Sequence, residues 1–154
     1  KQTRKSAILK MAESALLFDD TFRLQIIDKE GKKFQKVSRI EAKTEVYEME
    51  LELDINFDVY PMTVGEFYSI SLARTLRTDG TEETGDFRAD MGPSLLDKYD
   101  YAMYGKIFKF VEDGQKLAVY ASFGGLLLGL KGQPQHLKSL EVDQRIYLLI
   151  RKVQ

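Results

Sequence analysis

Hydrophobic and polar residues alternate with a period of two along most of this chain, the pattern of strands with one face buried and the other in water. The alternation is cleanest over residues 47–55. There Tyr47, Met49, Leu51, Leu53 and Ile55 share one face, and Glu48, Glu50, Glu52 and Asp54 share the other. The same reading predicts strands over Phe18–Lys29, Phe34–Lys43, Phe67–Arg74, Tyr101–Val111, Lys116–Phe123, Leu126–Lys131 and Arg145–Lys152. Turn residues separate them: Glu30-Gly31-Lys32-Lys33 joins the first two, and Asp113-Gly114 marks a hairpin. Only Pro134–Leu140 offers a helical turn, with proline at its start. Eight short strands punctuated by turns predict an all-β barrel or sandwich.

One stretch concentrates a cost. Ala121–Gly132 holds four glycines in twelve residues within a strongly apolar, strand-like segment. Glycine inside a strand weakens it and marks a bulge, a bend or a close backbone approach. The run therefore reads as a sharp corner of a small barrel.

Residues 77–98 break the pattern. Arg77 to Asp86 is polar, acidic and without periodicity, and it leads through Met91-Gly92-Pro93 into Ser94-Leu95-Leu96-Asp97. A loop of that length is a disordered insertion or an ordered contact loop. The first ten residues carry four bases ahead of Met11 and read as a basic leader or an expression remnant, leaving 11–154 as one domain. A chain of 154 residues can bury its own core without staples.

Composition removes several function classes. The formal net charge is −1, so no global field draws the chain to nucleic acid or an anionic membrane. With no cysteine there is no disulfide framework, thiolate metal site or cysteine nucleophile. No apolar run reaches the roughly 18 residues of a membrane-spanning helix. The single histidine, His136, lies in the polar turn before the last strand with no triad spacing around it, and reads as a surface residue. Gly124-Gly125 lacks the Gly-Lys-Ser/Thr ending of a phosphate loop. The acidic face of 47–55 reads as a solvated strand face, because carboxylates two residues apart stand roughly 7 Å from each other, too far for one small cation.

Two binding readings survive. Tyr101, Tyr104, Lys106, Phe108 and Lys109 interleave aromatics with bases, as single-strand-binding barrels do, although alternation divides them. It sets Tyr104, Lys106, Phe108 and Phe110 on one face and Tyr101, Met103, Ile107 and Lys109 on the other. In the last strand Ile146, Leu148 and Ile150 face inward, while Arg145, Tyr147 and Arg151 flank Leu149 on the outside. Arginine and tyrosine around an apolar centre compose an interface hot spot or an ordinary exposed strand face.

Longer motifs carry a resemblance. Tyr101-Ala102-Met103-Tyr104-Gly105-Lys106-Ile107-Phe108, Ser122-Phe123-Gly124-Gly125-Leu126-Leu127 and Ile146-Tyr147-Leu148-Leu149-Ile150-Arg151-Lys152 resemble the eighth small subunit shared by eukaryotic nuclear RNA polymerases I, II and III. Leu17-Phe18-Asp19-Asp20, Gly31-Lys32-Lys33-Phe34, Leu53-Asp54-Ile55-Asn56 and Val59-Tyr60-Pro61 match in the same order. Ala102, Ala121, Thr21 and Leu128 depart from the family's usual residues without removing a charged group. The resemblance implies an eight-stranded antiparallel barrel related to the oligonucleotide-binding fold, with a long acidic loop at 77–98. It implies a non-catalytic scaffold in the nucleus and nucleolus, docked on the polymerase's largest subunit, with no cofactor, metal, membrane or small-molecule substrate. Outward parity and motif position together select Tyr104, Lys106, Tyr120, Phe123, Gly124, Gly125, Leu126, Tyr147 and Arg151 as partner contacts. The alternative is an autonomous single-stranded nucleic-acid-binding protein of the same fold.

Overall fold

The computed structural model describes residues 15–44, 48–77 and 94–153. The expected leader, Tyr47 and most of the acidic loop lie outside these. Eight strands form: β1 (Leu16–Ile27), β2 (Val37–Lys43), β3 (Glu50–Asn56), β4 (Phe67–Ala73), β5 (Tyr101–Asp113), β6 (Lys116–Phe123), β7 (Leu126–Gly132) and β8 (Arg145–Val153). Every neighbouring pair is antiparallel, and the sheet closes in the order β1-β2-β3-β7-β6-β5-β8-β4. Closure leaves no long free edge and puts one face of every strand inside. Phe22, Leu24, Ile40, Leu53, Ile55, Ile70, Leu72, Ile107, Leu128, Leu130 and Ile146 fill that interior. The helical turn at 134–140 is present as a 3-10 turn over Pro134–His136, and Leu137 and Leu140 behind it enter the core.

Three expectations need correction. The strand expected from Tyr47 starts at Glu50, because Glu48 adopts a left-handed φ of 53° and Met49 N–H instead donates to Thr44 Oγ1 at 2.9 Å. Phe34 stands exposed in the β1–β2 loop, since β2 begins only at Val37. The alternation of β5 breaks at a bulge between Ile107 and Lys109. A bulge adds one residue and reverses the parity beyond it. Phe108 and Lys109 therefore both face out, while Phe110 turns in against the core instead of sharing the face of Tyr104.

The glycine run is also not one corner. Gly124 and Gly125, with φ of 63° and 101°, form a two-residue hairpin turn between the paired residues Phe123 and Leu126. Positive φ at both central positions is what a tight hairpin demands. Gly129 lies under the ring of Tyr120, its neighbour across β6, and a Cβ at Gly132 would strike the Met49 side chain. Space around Gly124 is open, so only its backbone is demanding. Gly124→Val should cost about 1–2 kcal/mol for a left-handed β-branched residue, with Gly124→Asn nearly neutral, as read from urea midpoints.

A smaller apolar cluster sits outside the barrel. Leu95 and Ala15 pack on Ala73 and Leu149, with Tyr99 and Tyr147 at the margin. Leu95 arrives on the 3-10 turn Leu95–Lys98, which Ser94 caps through Leu96 N–H while Asp97 answers the Ser94 N–H. The Arg77–Ser94 bridge and the bond from Leu95 N–H to the Leu76 carbonyl (2.9 Å) close the foot of the 77–98 loop against this cluster.

Candidate docking surface

The outer wall of β8, β5, β6 and β7 carries four of the nine expected contact residues, and cross-strand register sets them in rows. In one row Tyr147 of β8 lies opposite Tyr104 of β5, with ring centroids 4.6 Å apart. In the next, Arg145, Lys106, Ser122 and Leu127 follow one another across four strands. Beyond the bulge, Lys109 lies opposite Tyr120, and Tyr120 opposite Gly129; the Phe108 and Tyr120 rings are 6.5 Å apart. Tyr104, Phe108 and Leu127 are 49%, 48% and 41% exposed, three large apolar side chains on one outer face of the sheet.

Register separates the nine expected residues. Tyr104, Lys106, Tyr120 and Tyr147 share the wall, and Gly124 and Gly125 are exposed at the hairpin tip beside it. Arg151 is exposed and faces Ser69 of β4, about 13 Å along the strand from Tyr147. Phe123 does not face out. It is 5% exposed and belongs to the core, and Leu126, its partner across the turn, packs against that core as well. The two residues directly flanking a two-residue turn pair with each other and point the same way. Once Phe123 is inside, Leu126 must be inside and Leu127 outside. Leu127 was thus readable from the Gly-Gly turn, whereas Phe108 and Lys109 facing out together required the bulge. Leu149, expected at the centre of the outward patch, is covered by the chain's own Leu95 and Ala15.

On the acidic face of β3, Asp54 and Glu50 have partners within the chain. Arg39 of β2 grips Asp54 through Nε (2.7 Å) and Nη2 (3.1 Å), and Asp54 Oδ2 also accepts from Leu127 N–H at 3.0 Å. This carboxylate, 8% exposed, joins β2, β3 and the base of the glycine hairpin. The pairing with Asp54 pushes the Arg39 pKa further up, so the cation persists at any working pH. Glu50 pairs with Lys43 at 3.7 Å. Among the described residues no group of three or more His, Asp or Glu side chains could hold a metal.

His136 is half-buried at the end of its 3-10 turn. Burial raises the Asp20 carboxyl, the Thr21 N–H it accepts pulls it back, the neighbouring Asp19 charge raises it further, and a charged His136 lowers it least.

At the barrel end near β8's last residues, two tyrosines hold loop backbone and a third stacks beside them. Tyr101 and Tyr68 hydroxyls accept from Asn56 and Thr63 N–H at 3.0 and 2.9 Å, and Tyr60 stacks on Tyr101 with centroids 5.6 Å apart. The Tyr60 hydroxyl donates to Asp100 Oδ2 at 3.0 Å. Burial, then this bond to a carboxylate, raises the Tyr60 pKa well above that of a free phenol. A group whose folded pKa is raised stabilises fully below the unfolded value, about pH 10, and loses that contribution as pH rises through the folded value. Tyr60→Phe should therefore flatten the alkaline limb of the stability profile above about pH 10, checked by urea unfolding across pH.

Residues 19–152 match the family described as RNA polymerase Rpb8. The chain belongs to the RNA polymerase Rpb8 family. A Dictyostelium discoideum protein named as subunit rpabc3 of DNA-directed RNA polymerases I, II and III is 47% identical, over 90% of this chain and 99% of its own. Subunit 8B of RNA polymerases II, IV and V from Arabidopsis thaliana is 45% identical, over 93% and 100%. The Saccharomyces cerevisiae subunit RPABC3 of polymerases I, II and III is 37% identical, over 90% and 99%. Nearly full coverage on both sides places the whole described barrel within the family.

Proposed function

We propose that this Rpb8-family chain is the non-catalytic scaffold subunit common to nuclear RNA polymerases I, II and III, seated on the largest subunit through the wall of Tyr104, Lys106, Phe108, Tyr120, Leu127 and Tyr147. The observation that carries the docking is the two outward-facing ring pairs, Tyr104 with Tyr147 and Phe108 with Tyr120, on a barrel whose interior is already filled. Aromatic anchors ringed by polar residues are how stable interfaces concentrate their energy. The hairpin tip at Gly124-Gly125 adds backbone without side chains, which a neighbouring chain can approach closely. Ribonucleotidyl transfer, and the metal it needs, belong to other chains of the assembly. The subunit resides in the nucleus, and in the nucleolus as part of polymerase I. The Arabidopsis relative's name gives polymerases II, IV and V, so the set served is itself part of the proposal.

Affinity purification of the tagged full chain from eukaryotic cells tests this reading. The largest polymerase subunit should co-purify, and recovery without any large polymerase subunit would falsify it. The interleaved bases and aromatics of β5 keep one rival in play, an autonomous single-strand-binding barrel. That rival requires the purified chain to retain a labelled single-stranded oligonucleotide, with affinity falling steeply as salt rises.

A further inference from the structure

The wall carries an electrostatic cost that, among the described residues, the barrel relieves only in part. Lys106 of β5 and Arg145 of β8 are directly opposite in register, and both point outward. Like charges directly across a strand pair repel, since their Cβ atoms stand about 5 Å apart. Lys109 adds a third cation past the bulge, on the same outer face. Among the described residues the ion pairs set only Asp143 against this group, at 3.5 Å from Lys106 Nζ and itself largely in water. Four other outward cations of the barrel meet carboxylates: Arg39 with Asp54, Lys43 with Glu50, Lys131 with Asp113 and Lys152 with Glu66. In a chain of net charge −1, three cations facing one acid is a local excess and not a consequence of composition.

The cations also have a fixed place among the rings. Arg145 and Lys106 occupy the row between the Tyr104–Tyr147 pair and the Phe108–Tyr120 pair, with Leu127 at its far end. We infer that the partner segment seated on this wall is a stretch of protein with an Asp or Glu at its centre and apolar side chains on both flanks. The carboxylate lies between Lys106 and Arg145, and the flanks cover the two ring pairs. A carboxylate there removes the cross-strand repulsion on binding, so the charge contributes more to the complex than to the free barrel. This inference rests on the docking surface proposed above and names the chemistry of what it receives.

The test uses the tagged full chain and quantitative recovery of the largest polymerase subunit. Arg145→Glu and Lys106→Glu should each reduce recovery at least tenfold, and wild-type recovery should fall as salt rises. The free barrel of Arg145→Glu should melt no lower than wild type, because the change removes a repulsion, whereas Lys106→Glu also loses the pair with Asp143 and is read by recovery alone. Tyr104→Ala separates the two readings. If it lowers recovery while both charge reversals leave recovery unchanged, the wall docks a partner but the acidic centre is wrong. If neither the alanine nor the reversals lower recovery, the docking surface itself is elsewhere. Retention of a single-stranded oligonucleotide by the wild-type chain, lost in Arg145→Glu, would overturn the inference in favour of phosphate.

Discussion

Asp54→Ala is expected to destabilise the barrel by about 3 kcal/mol, visible as a lower urea midpoint at unchanged slope. Two losses add. The Leu127 N–H, bonded to Oδ2 in a part-buried position, is left without an acceptor, which costs toward the lower end of the about 1–3 kcal/mol of a buried orphaned donor. The bidentate bond from Arg39 is also lost. Half of the Arg39 side chain is in water, however, so its charge is rehydrated and the penalty stays below the 3–5 kcal/mol of a fully buried broken pair. Asp54→Asn keeps an oxygen for Leu127 and should lose only about half as much. For a chain of this size the alanine variant should melt about 6–12 °C lower. Equal loss in the two variants would mean that the charge, and not the Leu127 bond, holds the hairpin to β3.

Tyr104→Ala should weaken recovery of the polymerase's largest subunit by about thirtyfold, the equivalent of the 2 kcal/mol that marks an interface hot spot. The same change should move the melting temperature of the free barrel by only a few degrees, since half of the ring is already in water. Tyr147→Ala is the less selective probe. Its ring meets Tyr104, and it also borders the cluster of Leu95, Leu149 and Ala73, so its loss touches packing as well as docking. Phe123→Ala marks the opposite case, because a core phenylalanine supports folding before it can support any contact. A Tyr104→Ala barrel that unfolds as readily as a Phe123→Ala barrel would refute the assignment of the wall.

Period-two alternation located all eight strands, since a closed antiparallel barrel buries one face of each strand and exposes the other. It also assigned Ile146, Leu148 and Ile150 to the interior, because β8 runs without a bulge. It erred where the repeat itself was interrupted. One inserted residue at 107–109 exchanged the faces of Lys109 and Phe110, and no composition signal marks a bulge in a run of alternating aromatics and lysines. The Gly-Gly pair was legible as a special backbone, and the structure gives it a narrower role than a barrel corner. It is a hairpin turn whose geometry decides that Phe123 and Leu126 go in and Leu127 comes out.

Sequence alone determined the strands, the class and the family, because these rest on local periodicity and on motifs contiguous in the chain. Tertiary structure decided which outward residues become neighbours. Tyr104 meets Tyr147, Lys106 faces Arg145 and Asp54 reaches Leu127 only through strand register across a closed sheet, and Leu95 covers Leu149 only because its 3-10 turn folds back onto β8. Those contacts join residues separated by 39 to 73 positions, and register between distant strands is set by closure and bulges, which alternation within any one strand does not encode.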